Sequence, residues 1–186
     1  MTDQISWIAT PITGEYVRGA LELEQTPHGL LPPRLPCWAR QQWAEPQLAM
    51  AESQPSGVRL AFTSSATAIE LDVLATKRVY TGLPPRPDGV YDLYLDGQLV
   101  EQASVSGGRV VQMNLGAGSM TTEDGAVGTM RFGKLASGEK IIELWLPHNE
   151  TTELVALRSN APVAPLGSRG RRTWLHHGSS ISQGYN

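Results

Sequence analysis

The sequence has a single cysteine, Cys37, so neither an internal disulfide nor a cysteine-based zinc cluster can form within it. It has no excess of positive charge. Fifteen Lys and Arg stand against 18 Asp and Glu, giving a net charge of −3 and a pI near 5.8. That balance provides no broad basic field for nucleic acid or an anionic lipid surface. No apolar run approaches the ~18 residues that cross a bilayer as a helix. The opening stretch MTDQISWIATPITG lacks the basic segment and apolar core of a secretory signal. The expectation is a cytoplasmic chain that engages neither nucleic acid nor membrane. His28, His148 and the pair His176–His177 do not fall at metal-ligand spacing, so no metal is expected, and no cofactor either. Helical stripes are scarce as well.

What is present alternates with period two. An apolar fraction of 40% is enough to build a core. In GVRLAF, Val58, Leu60 and Phe62 alternate with polar or small residues, and in AIELDVLA, Ile69, Leu71 and Val73 do the same. VYDLYLDGQLVEQASV places two alternating runs around Asp96-Gly97, the pair that suits a tight hairpin needing positive φ at both turn positions. RVVQMNL, TMRFGKL, EKIIELWLP and TTELVALRS continue the series. In IIELWLP, Ile142, Leu144 and Leu146 share one face, and Ile141, Glu143 and Trp145 the other. Short strands punctuated by Gly and Pro predict an all-β chain folded as an antiparallel, jelly-roll-like β-sandwich.

Two stretches read as irregular. TPHGLLPPRLPCWARQQW is too rich in proline to pair continuously and is expected to wrap the sandwich edge as a loop. Trp38 and Trp43 within it would pin that loop by burial or line a ligand surface. NLGAGSMTTEDGAVG lacks the Gly-Lys-Ser/Thr of a phosphate loop and reads as a long connection between strands. Composition changes after the last strand: NAPVAPLGSRGRR is linker chemistry. The expected division is 1–159 sandwich, 160–172 linker, and 173–186 the start of a second unit.

That second unit begins with TWLHHGSSISQGYN. A strand, Gly178, and then Ser179-Ser180-Ile181-Ser182-Gln183 read as a strand-to-helix turn. A serine there presents its hydroxyl at the strand end, with its backbone N–H at the positive end of a helix, which suits both an attacking oxygen and the oxyanion it creates. The competing reading is an N-cap serine on an ordinary helix.

WLHHGSSISQG resembles the first sequence block of the SGNH hydrolases, the GDSL esterases: Gly, Asp, Ser, an aliphatic residue, then Ser or Thr. Gly178, Ser179, Ser180, Ile181 and Ser182 occupy those places, with Ser179 standing where the family has Asp. The resemblance implies that Ser180 is the nucleophile and that its backbone N–H is an oxyanion-hole donor. Gly178, Ser179 and His177 would support it. Upstream, GVYDLYLDG is similar to the Gly-x-Asp-Leu-Tyr signature of a β domain that precedes such catalytic domains, with two residues instead of one between Gly89 and Asp92. The implied whole is a jelly-roll-like sandwich followed by the first strand and helix start of a flavodoxin-like α/β domain.

The family's Asp-x-x-His occurs nowhere in these residues. A serine without its base is a poor nucleophile, so this stretch by itself is expected to be nearly inert. The expected function is the front part of a serine-dependent esterase acting on small acyl esters. Two alternatives stand beside it: an acyltransferase using the same serine on a small-molecule alcohol, and a carbohydrate-binding sandwich without catalysis.

Overall fold

The computed structural model describes residues 5–42, 45–167, 170, 174, 176 and 178. Short strands open the chain: β1 (Ile8–Thr10), β2 (Val17–Arg18), β3 (Glu24–Gln25) and β4 (Leu30–Leu31). Two helices follow, α1 (Cys37–Gln42) and α2 (Pro46–Glu52). The body is then built by β5 (Arg59–Ser64), β6 (Ile69–Tyr80), β7 (Tyr91–Leu95), β8 (Gln98–Ala103) and β9 (Arg109–Asn114). It ends with β10 (Ser119–Glu123), β11 (Gly128–Phe132), β12 (Lys140–Trp145), β13 (Thr151–Ser159) and β14 (Val163–Pro165).

These strands make two sheets. The larger runs β10-β9-β6-β13-β4-β3, with β1 added on β13 and β11 on β6. The smaller runs β14-β5-β12-β7-β8, with β2 added on β5. Alternation decides which side chains meet between them. Leu60 and Phe62 of β5, Ile142 and Leu144 of β12, and Tyr91 and Leu93 of β7 enter one core from the smaller sheet. From the larger sheet, Ile69, Leu71 and Val73 of β6, Met130 and Phe132 of β11, and Leu157 of β13 join the same core. A fully buried Leu, Ile or Phe contributes roughly 1.5–3 kcal/mol. This cluster therefore carries most of the fold's stability.

The all-β expectation holds, and several details depart from it. β6 and β9 pair in parallel, because the chain passes through β7–β8 in the other sheet between them. The proline-rich loop expected near residues 26–43 contains α1, and α2 follows it. Pro36 accepts the backbone N–H groups of Ala39 and Arg40 at 3.0 and 3.2 Å, and a proline stands in the first turn of α2, where its missing N–H costs nothing. The Gly-rich connection contains β10, paired with β9 along its length. The stretch YVRGALELEQ holds two short strands, β2 and β3, rather than one. The linker segment begins as a strand, with β14 lying on β5.

The hairpin forms where Asp96-Gly97 places it. Both residues have positive φ, 50° and 83°, and the Asp96 carboxylate accepts the Ile141 N–H at 2.9 Å.

Candidate functional site

Ser180, Ser179, His177 and Trp43 lie outside the described residues. Gly178 is exposed, and nearby Trp174 and His176 stand edge to face with ring centroids 5.3 Å apart. Trp38, on α1, is 65% exposed. Tyr91 and Tyr94, three residues apart on β7, fall on opposite faces: Tyr91 is in the core, and Tyr94 packs on Trp145 on the far side of the sheet. The described serines that bond through their hydroxyls serve the frame. Ser64 donates to the Pro162 carbonyl, Ser159 to that of Ala161, and Ser53 to that of Met50.

The chain leaves the β body at a fixed point. Arg18 of β2 donates to the Leu166 carbonyl at 2.6 Å, just past β14. The same guanidinium donates to the carbonyls of Glu15 and Val17, each at 2.9 Å. One cation thus ties β2, at the start of the smaller sheet, to Leu166 just past β14. Beside it, Gly14, Val17, Ala20, Leu21, Glu22 and Leu23 line a depression of about 240 Å³. A second depression, about 470 Å³, continues past Glu22 and Leu23 to Glu24, Cys37, Arg40 and Gln41.

Arg40 sets the electrostatics of that second depression. Its guanidinium donates to Glu24 at 2.7 Å and lies 3.8 Å from Glu22. Burial would weaken its charged form, but the hydrogen bond to Glu24 and the charges of Glu24 and Glu52 outweigh this, and its pKa rises. Glu52 behaves oppositely: burial pushes its pKa up against the pull of Arg40, the backbone bond at Leu35 and Arg34. The result is a polar, shallow recess. Among the described residues no His/Cys/Asp/Glu group could hold a metal, and no helix is long and apolar enough to cross a membrane.

The GVYDLY stretch has a physical explanation in its surroundings. Gly89 donates its N–H to the buried Glu150 carboxylate. A Cβ at position 89 would lie 2.6 Å from both the Glu150 carboxyl carbon and Pro147 Cβ, so only glycine fits. Tyr91 fills the core and its hydroxyl meets Thr152 at 3.2 Å; burial pushes its pKa up. Asp92 accepts from Gln102 at 2.7 Å on β8, and Leu93 is fully buried. Burial also raises the Glu150 pKa, partly offset by the Gly89 bond and Lys77. Residues 148–152 consequently join three elements: Asn149 donates to the Pro87 carbonyl, Gln54 to that of Asn149, and Thr151 meets Ser53 at 3.0 Å.

A cluster on the outer face of the smaller sheet was not singled out from sequence. Arg59 lies over the Trp145 ring at 4.4 Å and donates to Glu143 at 2.7 Å. Tyr94 approaches Trp145 at 6.3 Å, ring centre to ring centre. The signal was available in the alternation that put Trp145 and Glu143 opposite the core-facing Leu144. Strand pairing, invisible locally, added Arg59 and Tyr94.

The chain belongs to the SsfX3 N-terminal domain family, whose model matches residues 15–155. Among solved structures it is similar to the salicylyl-acyltransferase SsfX3 from a tetracycline biosynthetic pathway, with 22% identity and a TM-score of 0.67. That match covers 88% of this chain and 42% of the other. It is also similar to a protein described as a GDSL-like lipase from Bacteroides ovatus ATCC 8483, with 14% identity and a TM-score of 0.53, covering 87% of this chain and 43% of that one. No curated protein sequence matches it. The chain thus spans about two fifths of the length of the two structures it resembles.

Proposed function

We propose that this chain is the jelly-roll-like front domain and nucleophile block of a serine-dependent enzyme of the SGNH/GDSL type, acting on small acyl substrates. The observation that carries this reading is an order along the chain. The match to the SsfX3 N-terminal domain ends at residue 155, and Gly178-Ser179-Ser180-Ile181-Ser182 comes after it. The domain would occupy residues 1–159, the connection 160–172, and the catalytic unit would begin at 173.

In this reading Ser180 Oγ attacks the acyl carbonyl while a base from residues beyond 186 takes its proton. The oxyanion is held by the Ser180 backbone N–H, placed by the turn at Gly178–Ser179, with His177 beside it. The alkoxide or thiolate leaves with a proton, giving an acyl-serine ester. Water then releases the acid, or an alcohol takes the acyl group. Exclusion of water from the site decides between the two. The acyltransferase described among the similar structures favours transfer as the second reading alongside hydrolysis.

Sugar binding by the front domain has less support. Tyr91 is buried and Arg59 covers one face of Trp145, while Trp38 is 65% exposed.

The test is turnover of an activated ester by the full-length polypeptide. Ser180→Ala is expected to lower kcat by about 10³-fold or more, and residues 1–186 alone to show almost none. Adding a series of small alcohols and measuring transferred product against free acid separates the two outcomes. Unchanged turnover in Ser180→Ala would end this reading.

A further inference from the structure

The smaller sheet carries a prepared contact surface on the side facing away from the core. Arg59, Thr63, Ile141, Glu143, Trp145 and Tyr94 alternate with core residues on β5, β12 and β7, and the registers Trp145↔Arg59 and Glu143↔Tyr94 bring them into adjacent rows. Leu99 of β8, opposite Tyr94, is 47% exposed and extends the surface. Trp, Tyr and Arg are the residues in which interface energy concentrates. Here Arg59 is already immobilised between Trp145 and Glu143, so little side-chain freedom remains to be lost on docking.

The exit of the chain lies on the same face. Arg18 pairs with Arg59 in register, so both side chains stand outside the sheet, and Arg18 holds the Leu166 carbonyl. At ~3.5 Å per residue, the stretch 167–178 reaches at most about 40 Å. Whatever follows it starts within range of the whole surface.

Area indicates what kind of occupant fits. The sheet is ordered β14-β5-β12-β7-β8, which at ~4.8 Å per strand is roughly 20 Å wide. The six residues of β5 extend it roughly 20 Å the other way. Two such surfaces together bury on the order of 800 Å², less than the ~1,200–2,000 Å² of a stable complex between separate molecules. The figure falls within the ~600–1,500 Å² typical of domains joined in one chain. A short tether raises the effective concentration to about the millimolar range, which suits a contact of this size.

We propose that the outer face of the smaller sheet is the seat of the polypeptide that follows residue 167, with Trp145, Tyr94 and Arg59 as its anchors. This rests on the reading of the chain as the front part of a longer enzyme. The larger sheet fits this role less well: residues 26–42 and 45–54 cover part of its outer face through Thr26 on Glu153 and the Arg78 bond to Met50, and Arg158 with Arg131 pairs the carboxylates of another part.

Hydroxyl-radical footprinting of the full-length polypeptide tests it, with Trp38 and Met120, both 65% exposed, as internal references. Corrected for intrinsic reactivity, Leu99 is expected to oxidise about fivefold more slowly than those references, as a residue in a dry interface does. Leu99→Arg should restore oxidation at Tyr94 and split a single thermal transition into two, whereas Met120→Arg should do neither. Oxidation of Leu99 within about twofold of the references, or protection moved to Trp38, would overturn the proposal. A serine-reactive probe run in parallel keeps the two readings apart. Protected Leu99 with unlabelled Ser180 defeats the catalytic reading alone, and labelled Ser180 with freely oxidised Leu99 defeats the docking face alone.

Discussion

The two sheets share one core but meet their surroundings differently. On the outer side of the larger sheet, Arg158 donates to Asp72 through two nitrogens at 2.6 and 2.7 Å and to Glu70 at 2.9 Å, and Arg131 also reaches Glu70. Further along the same face, the covering residues 26–42 and 45–54 are held by Thr26 against Glu153 and by the Arg78 bond to the Met50 carbonyl. The smaller sheet instead carries the half-buried Tyr94, Trp145 and Ile141 and the exposed Leu99, with Arg18 holding the Leu166 carbonyl on the same face. One face is held largely by paired charges and a covering segment, the other by an Arg–Trp–Tyr cluster.

The comparison breaks most sharply at Arg158. Arg158→Ala leaves the mostly buried Asp72 with Thr129 alone and Glu70 with Arg131 alone, and a loss of about 2 kcal/mol is expected in chemical denaturation. A loss under about 0.5 kcal/mol would make the pairs ordinary surface bridges.

Acid should act on the same face. Burial pushes the Glu70 pKa up, but hydrogen bonds from Arg158 and Arg131 overcome it and leave it lowered; Asp72 is lowered chiefly by its bond from Arg158. Lowered carboxylates stabilise the fold above their unfolded values near ~4 and lose that contribution as pH falls through the folded ones. Stability should thus drop below about pH 4, with a shallower slope in Arg158→Ala. Glu150 has the opposite sign. Its pKa is raised by burial, so its contribution is present at low pH and lost as pH rises through its folded value. Glu150→Gln is therefore expected to gain about 1 kcal/mol at pH 8 relative to pH 4, and an equal change at both would remove the assignment.

The smallest effect belongs to the prepared face. Arg59→Met removes one partly exposed ion pair and one contact over Trp145, and about 0.5–1 kcal/mol is expected. A cost matching that of Arg158→Ala would make this face structural and erase the contrast.

Much of this architecture was legible in the residues. Period-two runs located β5, β6, β7, β8, β12 and β13, and Asp96-Gly97 located their tightest turn, because burial on one face and positive φ are local demands. The misses share a cause. α1 and α2 are too short to display a helical stripe, β10 is exposed along its whole length and so does not alternate, and β14 is three residues in a proline-rich stretch. The parallel pairing of β6 with β9 depends on a path through the other sheet, which no local pattern records. Of the candidate site, the serine block was readable as a motif, and Ser180 lies outside the described residues. The cluster of Arg59, Tyr94 and Trp145 was only half readable, since alternation faces Trp145 outward but strand pairing supplies its neighbours.

The most direct measurement is covalent labelling of the full-length polypeptide with a fluorophosphonate, followed by intact-mass and peptide analysis. The expected result is one adduct per chain, on the peptide carrying Ser180, and none in Ser180→Ala. No adduct, or one that persists in Ser180→Ala, would contradict the assignment of Ser180 as the nucleophile.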